Sequence, residues 1–163
     1  MISLFISSTF NDMQIERDVL HQKVIPYIRR YASSLGESIR IIDLRWGVDT
    51  SEIENGKITE KVTRACLKGI EQCDNYVIAF LGNRYGWIPS DFPYDYLKNE
   101  YGIVFETPVS MTEIELQYGI LNKDDITRSL VYMRDSIIGS SGKELYNVCD
   151  DMYKMESLKK RIK

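Results

Sequence analysis

Short apolar runs alternate along this chain with longer segments in which apolar residues recur every three or four positions. The runs, at residues 2–6, 39–44, 75–81 and 130–133, predict buried strands. The longer segments, at about 13–31, 59–73, 111–121 and 143–163, predict helices with one apolar face each. Strands that alternate with helices favour an α/β fold around a parallel sheet with right-handed crossovers.

Capping and helix-breaking residues refine the predicted helices. Asn11 or Asp12 is expected to cap the first helix, because a side-chain oxygen at that position accepts from free N–H groups. Pro26 lies inside the same helix and lacks the backbone N–H, so we expect a kink there. Ser110 is expected to cap the helix that begins at Met111, with Glu113 in the capping-box position.

Polar and aromatic residues follow three of the predicted strands directly. They lie at 7–9, 43–47 and 83–87, and the helix that opens at Ser110 could complete the same edge. Ligands of parallel sheets bind beyond the carboxyl ends of the strands, so this edge is the expected site. Residues 88–108 show no period and predict a long loop, which in a compact domain is usually functional or specially packed.

Composition excludes several classes of protein. The 163 residues suit one domain, and a net charge of −3 disfavours a general electrostatic nucleic-acid binder. No apolar run approaches the roughly 18 residues of a membrane span, and no secretory signal is visible. Cys66, Cys73 and Cys149 have no metal-binding spacing and fit a reducing cytoplasm. With His21 as the only histidine, we expect no metal site, and His21 itself is interpreted as a surface or packed helical residue.

Candidate chemistry from the residues alone stays ambiguous. Asp43, Arg45 and Trp46 could bind a polar aromatic ligand, or could form an internal ion pair with the indole packed at the rim of the core. Arg84 and Tyr85 carry the same ambiguity. Arg17 and Glu16 are interpreted as forming a helix-surface or helix-to-loop ion pair, without a catalytic role. No glycine-rich phosphate loop is present, since neither the P-loop nor the GxGxxG pattern is complete.

The helix after Ser110 carries two carboxylates, Glu113 and Glu115. Residues two apart on a helix do not share a face, so they are not expected to act as a pair. One could point into the crevice beyond the strands. The plain alternative is two solvated glutamates that favour the helix dipole.

Five ordered segments resemble the TIR-like domain family DUF4062. They are residues 4–18 (LFISSTFNDMQIERD), 43–48 (DLRWGV), 81–89 (LGNRYGWIP), 110–115 (SMTEIE) and 131–135 (VYMRD). The DLRWGV segment is similar to the N-terminal domains of NACHT-type STAND ATPases, among them telomerase-associated and nephrocystin-like proteins and bacterial defence relatives.

The resemblance implies a flavodoxin-like, TIR-type three-layer fold with strand order 2-1-3-4-5. It implies that residues 1–163 are a single N-terminal domain of a longer cytoplasmic protein, with ATPase and sensor domains downstream. It also implies self-association through TIR-like surfaces, with residues 49–57 as the loop that gates the site. Neither nucleic acid nor a membrane is an expected partner.

Many TIR domains cleave NAD and release nicotinamide, and the resemblance implies this activity in an anti-phage immune sensor. The catalytic glutamate carries over to Glu115, with Glu113 second, although 110–115 lacks the cysteine of the usual motif. Ser7, Ser8 and Asp43 are expected to shape the ribose and phosphate pocket. Trp46 or Tyr85 would stack on nicotinamide, and Arg45 or Arg84 would pair with the pyrophosphate. NAD is then the substrate, and no cofactor is expected.

Two further hypotheses stay open. The domain could be a non-catalytic module that uses the TIR-like surface to assemble partners, because fold alone does not decide function. It could also process nucleosides in the manner of deoxyribosyltransferase-like folds, which place a glutamate near the ribose. That hypothesis differs from NAD cleavage mainly in the ligand.

Overall fold

Four parallel strands form the sheet of this domain. The computed structural model describes residues 1–9, 11–44, 58–74, 76–124, 128–134 and 152–163. The strands β1 (Ile2–Ser8), β2 (Ile39–Asp43), β3 (Val77–Leu81) and β4 (Ser129–Met133) lie in the order β2-β1-β3-β4. This agrees with the flavodoxin-like order expected from the sequence, and a fifth strand is not among the described residues.

Helices cover both faces of the sheet, which gives three layers. The helices are α1 (Gln14–Val19), α2 (Ile25–Ser34), α3 (Ile58–Glu71), α4 (Tyr94–Tyr101), α5 (Met111–Leu116) and α6 (Met152–Ile162). Two π-helical segments, Leu20–Val24 and Gln117–Leu121, continue α1 and α5. The α1–α2 run packs on one face of the sheet, and α3, α5 and α6 pack on the other.

The register of the sheet explains the two cores. Phe5 pairs with Ile42 on one side and Val77 on the other, and its ring faces α3. The next residue, Ile6, faces the opposite layer with Leu20 and Phe80, because side chains alternate along a strand. The larger core therefore lies under α3, α5 and α6, and the smaller one lies under α1 and α2.

The first helical run passes through Pro26 without breaking. The π-helical segment ends at Val24, and Pro26 then occupies the first turn of α2, where its missing N–H removes less of the hydrogen-bond ladder. The expectation of one run rather than two unrelated helices is confirmed, and the π segment is the local irregularity that accommodates the proline.

Two details of the helices differ from expectation. The residue that precedes α1 is Met13, without a side-chain cap, so the predicted cap at Asn11 or Asp12 is wrong. The predicted loop at 88–108 contains α4, a two-turn helix that Gly102 ends with φ 65°. The cap at Ser110 is confirmed, because its Oγ accepts from the Glu113 N–H at 3.2 Å.

Several expectations concern residues that the structure does not describe. They are the gating loop at 49–57, Cys149, and the start of the last helix at 143, of which the described part is α6. None of the described helices has the length and apolar character needed to cross a membrane.

Candidate functional site at the carboxyl edge of the sheet

The carboxylate of Glu115 lies against the carboxyl end of β1. The Ser110 cap fixes the start of α5, and the helix then directs Glu115 toward the sheet. Ser7 donates its hydroxyl hydrogen to Glu115 Oε2 at 2.5 Å. The expectation that the two glutamates point to different sides is confirmed, since Glu113 points toward α6.

Burial gives Glu115 unusual acid–base properties. Loss of hydration raises the pKa of Glu115 to about 7. Hydrogen bonds from Ser7 and Cys66, together with the charge of Arg17, lower this pKa and so limit the increase. Cys66 lies on α3, 4% exposed, and burial beside this carboxyl raises the pKa of its thiol well above the ordinary value. Cys66 is therefore an uncharged neighbour of Glu115 at neutral pH.

A second polar cluster lies on the other face of the same edge. Arg17, 1% exposed, donates to Ser8 Oγ and to Asp43 Oδ1. His21 Nε2 lies 2.6 Å from Asp43 Oδ2. Asp43 is thus paired internally with Arg17 and His21, and the expected pairing with Arg45 concerns a residue outside the described ones.

Sequence reasoning missed the roles of Arg17 and His21. Glu16 forms a helix-to-loop ion pair with Arg134, as expected, whereas Arg17 is buried in the edge cluster and pairs with Asp43 at the end of β2 rather than at the helix surface. One signal was present: Arg17 and His21 are four apart and so share a helix face.

Glu113 and Tyr85 form a separate group. The Tyr85 hydroxyl donates to Glu113 Oε2, and Arg161 of α6 donates to Oε1 at 2.5 Å. Burial, followed by the hydrogen bond to Glu113, raises the pKa of the Tyr85 phenol. Both carboxylate oxygens of Glu113 are occupied and Tyr85 is 2% exposed, so this group ties α5 to α6 and offers little surface to a ligand.

Asp12 ties the loop after β1 to the loop after β3. Its Oδ2 accepts from the backbone N–H groups of Asn83 at 2.8 Å and Arg84 at 2.9 Å, and its Oδ1 accepts from the Thr9 hydroxyl. A Cβ at Gly82 would lie 2.1 Å from that Oδ2, so only glycine permits the approach. The Arg84 side chain itself is exposed at the rim.

The predicted site residues therefore lie in different places, with Arg84 exposed at the rim. Ser7 and Glu115 meet on one face of the carboxyl edge, and Ser8 and Asp43 meet through Arg17 on the other face. Glu113 and Tyr85 lie apart from them under α6. Arg45 and Trp46 are outside the described residues.

The described part of the chain contains no group of three or more His, Cys, Asp or Glu side chains that could hold a metal ion. The edge of the sheet instead offers a carboxyl group with a pKa of about 7 and a serine hydroxyl on one face, and a second serine hydroxyl with a buried guanidinium on the other. The serine hydroxyls can hydrogen-bond the hydroxyls of a ligand, and the ionised carboxylate of Glu115 can stabilise a positive charge that develops beside it.

Several mammalian proteins are similar in sequence to half or more of this chain. Telomerase protein component 1 of Mus musculus is 35% identical over 143 residues, which is 82% of this chain and 5% of that protein. The same protein of Rattus norvegicus is 35% identical over 140 residues. NACHT and WD repeat domain-containing protein 2 of Homo sapiens is 29% identical over 89 residues, which is 52% of this chain and 5% of that protein.

This chain thus spans about one twentieth of the length of these relatives. No solved structure matches the chain. The profile of the family described as "Domain of unknown function (DUF4062)" matches residues 3–163, nearly the whole chain. The chain therefore belongs to the DUF4062 family.

Proposed function

We propose that this domain cleaves the N-glycosidic bond of NAD and releases nicotinamide. The observation that carries the proposal is Glu115, a carboxyl group with a pKa of about 7 that Ser7 holds at the carboxyl edge of a parallel sheet. Ligands bind at that edge in this class of fold, and perturbed carboxyl groups in clefts are typical of catalytic sites.

The proposed reaction needs one carboxylate and a water molecule. The bond between C1′ of the ribose and the nicotinamide nitrogen breaks, and its electron pair leaves with nicotinamide. Water adds at C1′ and loses a proton to solvent. Glu115 stabilises the oxocarbenium-like charge of the transition state, in the way that carboxylates do in glycoside hydrolysis. The positive nicotinamide ring favours the ionised form of Glu115 on binding.

The other residues at the edge would position the substrate. Ser7 orients Glu115, and Ser8 and Asp43 shape the wall that Arg17 holds in place. The exposed Arg84, and Arg45, are the proposed partners of the pyrophosphate. Trp46 is the proposed stacking partner of nicotinamide, because Tyr85 is buried against Glu113.

Activation would come from assembly of a longer protein. The relatives named above include proteins with NACHT and WD repeat domains, and the chain covers a small part of them. We therefore propose that an ATPase and a sensor domain of the same cytoplasmic polypeptide bring copies of this domain together in an immune or anti-phage response. Self-association of the domain belongs to this proposal.

The test is release of nicotinamide from NAD by the domain fused to an oligomeric scaffold. Clustered wild type should release nicotinamide, and Glu115→Gln should lower the rate at least about 100-fold. Glu106→Gln, on an exposed side chain that takes no part in the contacts of Glu115, is the matched control and should leave the rate unchanged.

Other outcomes identify the alternatives. No release by clustered, folded wild type overturns the proposal and favours the assembly module. Release of a base from nucleosides but not of nicotinamide from NAD overturns it in favour of nucleoside processing. Release that survives Glu115→Gln overturns the assignment of the catalytic residue.

A further inference from the structure

One face of the sheet is covered unevenly. On the side of α1 and α2, Ile78 and Phe80 of β3 pack against the helical run. Their partners on β4 in the register are Leu130 and Tyr132, which are 56% and 55% exposed. The Tyr132 ring stacks on Phe80 at 5.3 Å, so the exposed pair continues the apolar surface of the core.

An apolar groove of about 720 Å³ runs between the first helical run and β4. Its helical wall presents Ile15, Val19 and Val24, with exposed fractions of 76%, 42% and 42%. Leu130 and Tyr132 form the opposite wall. Single exposed apolar side chains are ordinary, whereas a contiguous apolar groove marks a contact surface.

The other face of β4 is covered. Val131 and Met133 pack against the larger core, and Lys159 of α6 donates to the Arg134 backbone oxygen at 3.1 Å directly after the strand. The described helix that follows β4 therefore lies on the face opposite the groove. Parallel sheets are buried on both faces, because their strands are apolar on both sides. The groove is the part of this sheet where that cover is absent among the described residues.

A polar group at the groove has one unsatisfied atom. Glu16 lines the groove, and one of its oxygens accepts from Arg134. The other, Oε2, is buried and has no hydrogen-bond partner among the described residues. A buried carboxylate oxygen without a donor is costly, so the molecule that covers the groove is expected to bring one.

We propose that the groove seats an amphipathic helix of the same polypeptide, from the segment that follows Lys163 in the longer protein. After α6 on the opposite face, a right-handed crossover brings the next strand beside β4, and a helix after that strand can return over the groove. The relatives are far longer than a domain of this size, since the chain covers 5% of their length, so a longer protein of this kind has polypeptide outside the domain that could cover the groove.

The groove defines the chemistry of this helix. A five-residue strand spans about 16 Å, which a helix of roughly 11 residues matches. Its apolar face would repeat at three- and four-residue intervals to contact Val19 and Leu130. A Lys, Arg, Asn or Ser side chain near one end would donate to Glu16 Oε2.

Cysteine accessibility tests the proposal. Leu130→Cys lies in the groove, and Val104→Cys, on a side chain that is 70% exposed elsewhere, is the matched control. Thiol labelling of each is followed by mass spectrometry in the 163-residue chain and in the natural protein extended past Lys163. The extension should slow labelling at 130 at least about tenfold and leave 104 unchanged.

Three results would overturn the proposal. Labelling at 130 that is equally fast in both proteins means that the extension does not cover the groove. Slow labelling already in the 163-residue chain means that another part of this chain covers it. Protection that grows with protein concentration identifies a second copy as the occupant.

A charge substitution keeps the proposal testable if the shorter chain is poorly folded. Leu130→Lys should lower the Tm of the extended protein by several degrees, because it places a charge under the helix. Val104→Lys should have no effect. Equal Tm values for Leu130→Lys and the parent extended protein would contradict a seated helix.

Discussion

At the scale of single residues, the protein raises the pKa of the Glu115 carboxyl group to about 7 by shielding it from water beside uncharged donors. Ser7 and Cys66 each give Glu115 one hydrogen bond, and Arg17 adds a positive charge beyond them. These groups stabilise the ionised form and oppose the effect of burial. The balance leaves Glu115 able to exist in both forms around pH 7, which suits a group whose charge matters only when a cationic ligand arrives.

Glu115→Gln should stabilise the protein at alkaline pH. The pKa of Glu115 is raised in the folded state, so the folded protein binds the proton more tightly than the unfolded chain. The stability that this group contributes is then greatest below about pH 4.5, falls between about pH 4.5 and 7, and is lost above 7. The neutral amide removes this loss, and we expect a gain of about 1–2 kcal/mol at pH 8 and little change at pH 5.

Urea unfolding of the two proteins at both pH values provides the measurement. Glu106→Gln, on an exposed carboxyl group, should track wild type at each pH. A loss of stability at pH 8 in Glu115→Gln would show that the carboxylate is better accommodated than its burial implies.

The rate of the proposed NAD cleavage should rise with pH through about 7. The proposed mechanism uses the ionised form of Glu115, so the free enzyme gains active molecules as that group loses its proton. Ser7→Ala removes a hydrogen bond that lowers this pKa, and the midpoint should move to higher pH. The measurement is kcat/KM against pH for both clustered proteins. An unchanged midpoint in Ser7→Ala would show that the Ser7 hydroxyl does not influence the pKa of the group that controls the rate.

At the scale of elements, the loops after β1 and β3 are fastened to each other by backbone contacts. Asp12 accepts from two N–H groups of the second loop, and Gly82 leaves room for its carboxylate. Two of the segments that carry the family resemblance, 4–18 and 81–89, are thus in direct contact. Their residues hold the edge of the sheet in shape next to the candidate site.

Gly82→Ala should cost about 2–4 kcal/mol of stability, because its methyl group would lie 2.1 Å from Asp12 Oδ2. Asp12→Ala should cost a similar amount through the lost N–H partners. The double substitution should cost clearly less than the sum, since without the Asp12 carboxylate a methyl group at position 82 no longer clashes with it. Chemical unfolding of the four proteins gives the cycle. Strictly additive losses would contradict the contact.

Sequence patterns predicted the elements much better than their contacts. Strands and amphipathic helices follow from local periodicity, so β1 to β4 and α3 were placed within a few residues. Asp12 was expected to cap a helix, because a short acidic side chain before a helix usually does, but a long-range partner outcompeted that role. The two-turn α4 lies among prolines and aromatics, where no period is visible.

The same limit applies to the candidate site. Ser7 and Glu115 could be placed together because strand ends meet at one edge of a parallel sheet. The partner of Asp43 could not be chosen among many polar residues, and Arg17 was hidden by its position beside Glu16 on a helix. Burial of a guanidinium depends on how three elements pack, which a single sequence does not display.

At the scale of the whole molecule, the two cores differ in how completely they are enclosed. The larger core contains Leu67, which is fully buried under α3. The smaller core contains Leu20, which is 6% exposed and also lines the open groove beside β4. Since the cost of removing a buried side chain depends on whether the space can collapse or fill with water, equivalent leucines in the two cores should behave differently.

Leu67→Ala should cost about 3–5 kcal/mol, whereas Leu20→Ala should cost about 2 kcal/mol, because water can enter at the groove and side chains there can shift. Urea unfolding of the 163-residue chain measures both, and a common m-value would confirm that the denatured states are alike. In the protein extended past Lys163, a helix seated on the groove should enclose Leu20 and bring its cost toward that of Leu67. Equal losses in the shorter chain would mean that the groove face is as rigid and dry as the core under α3.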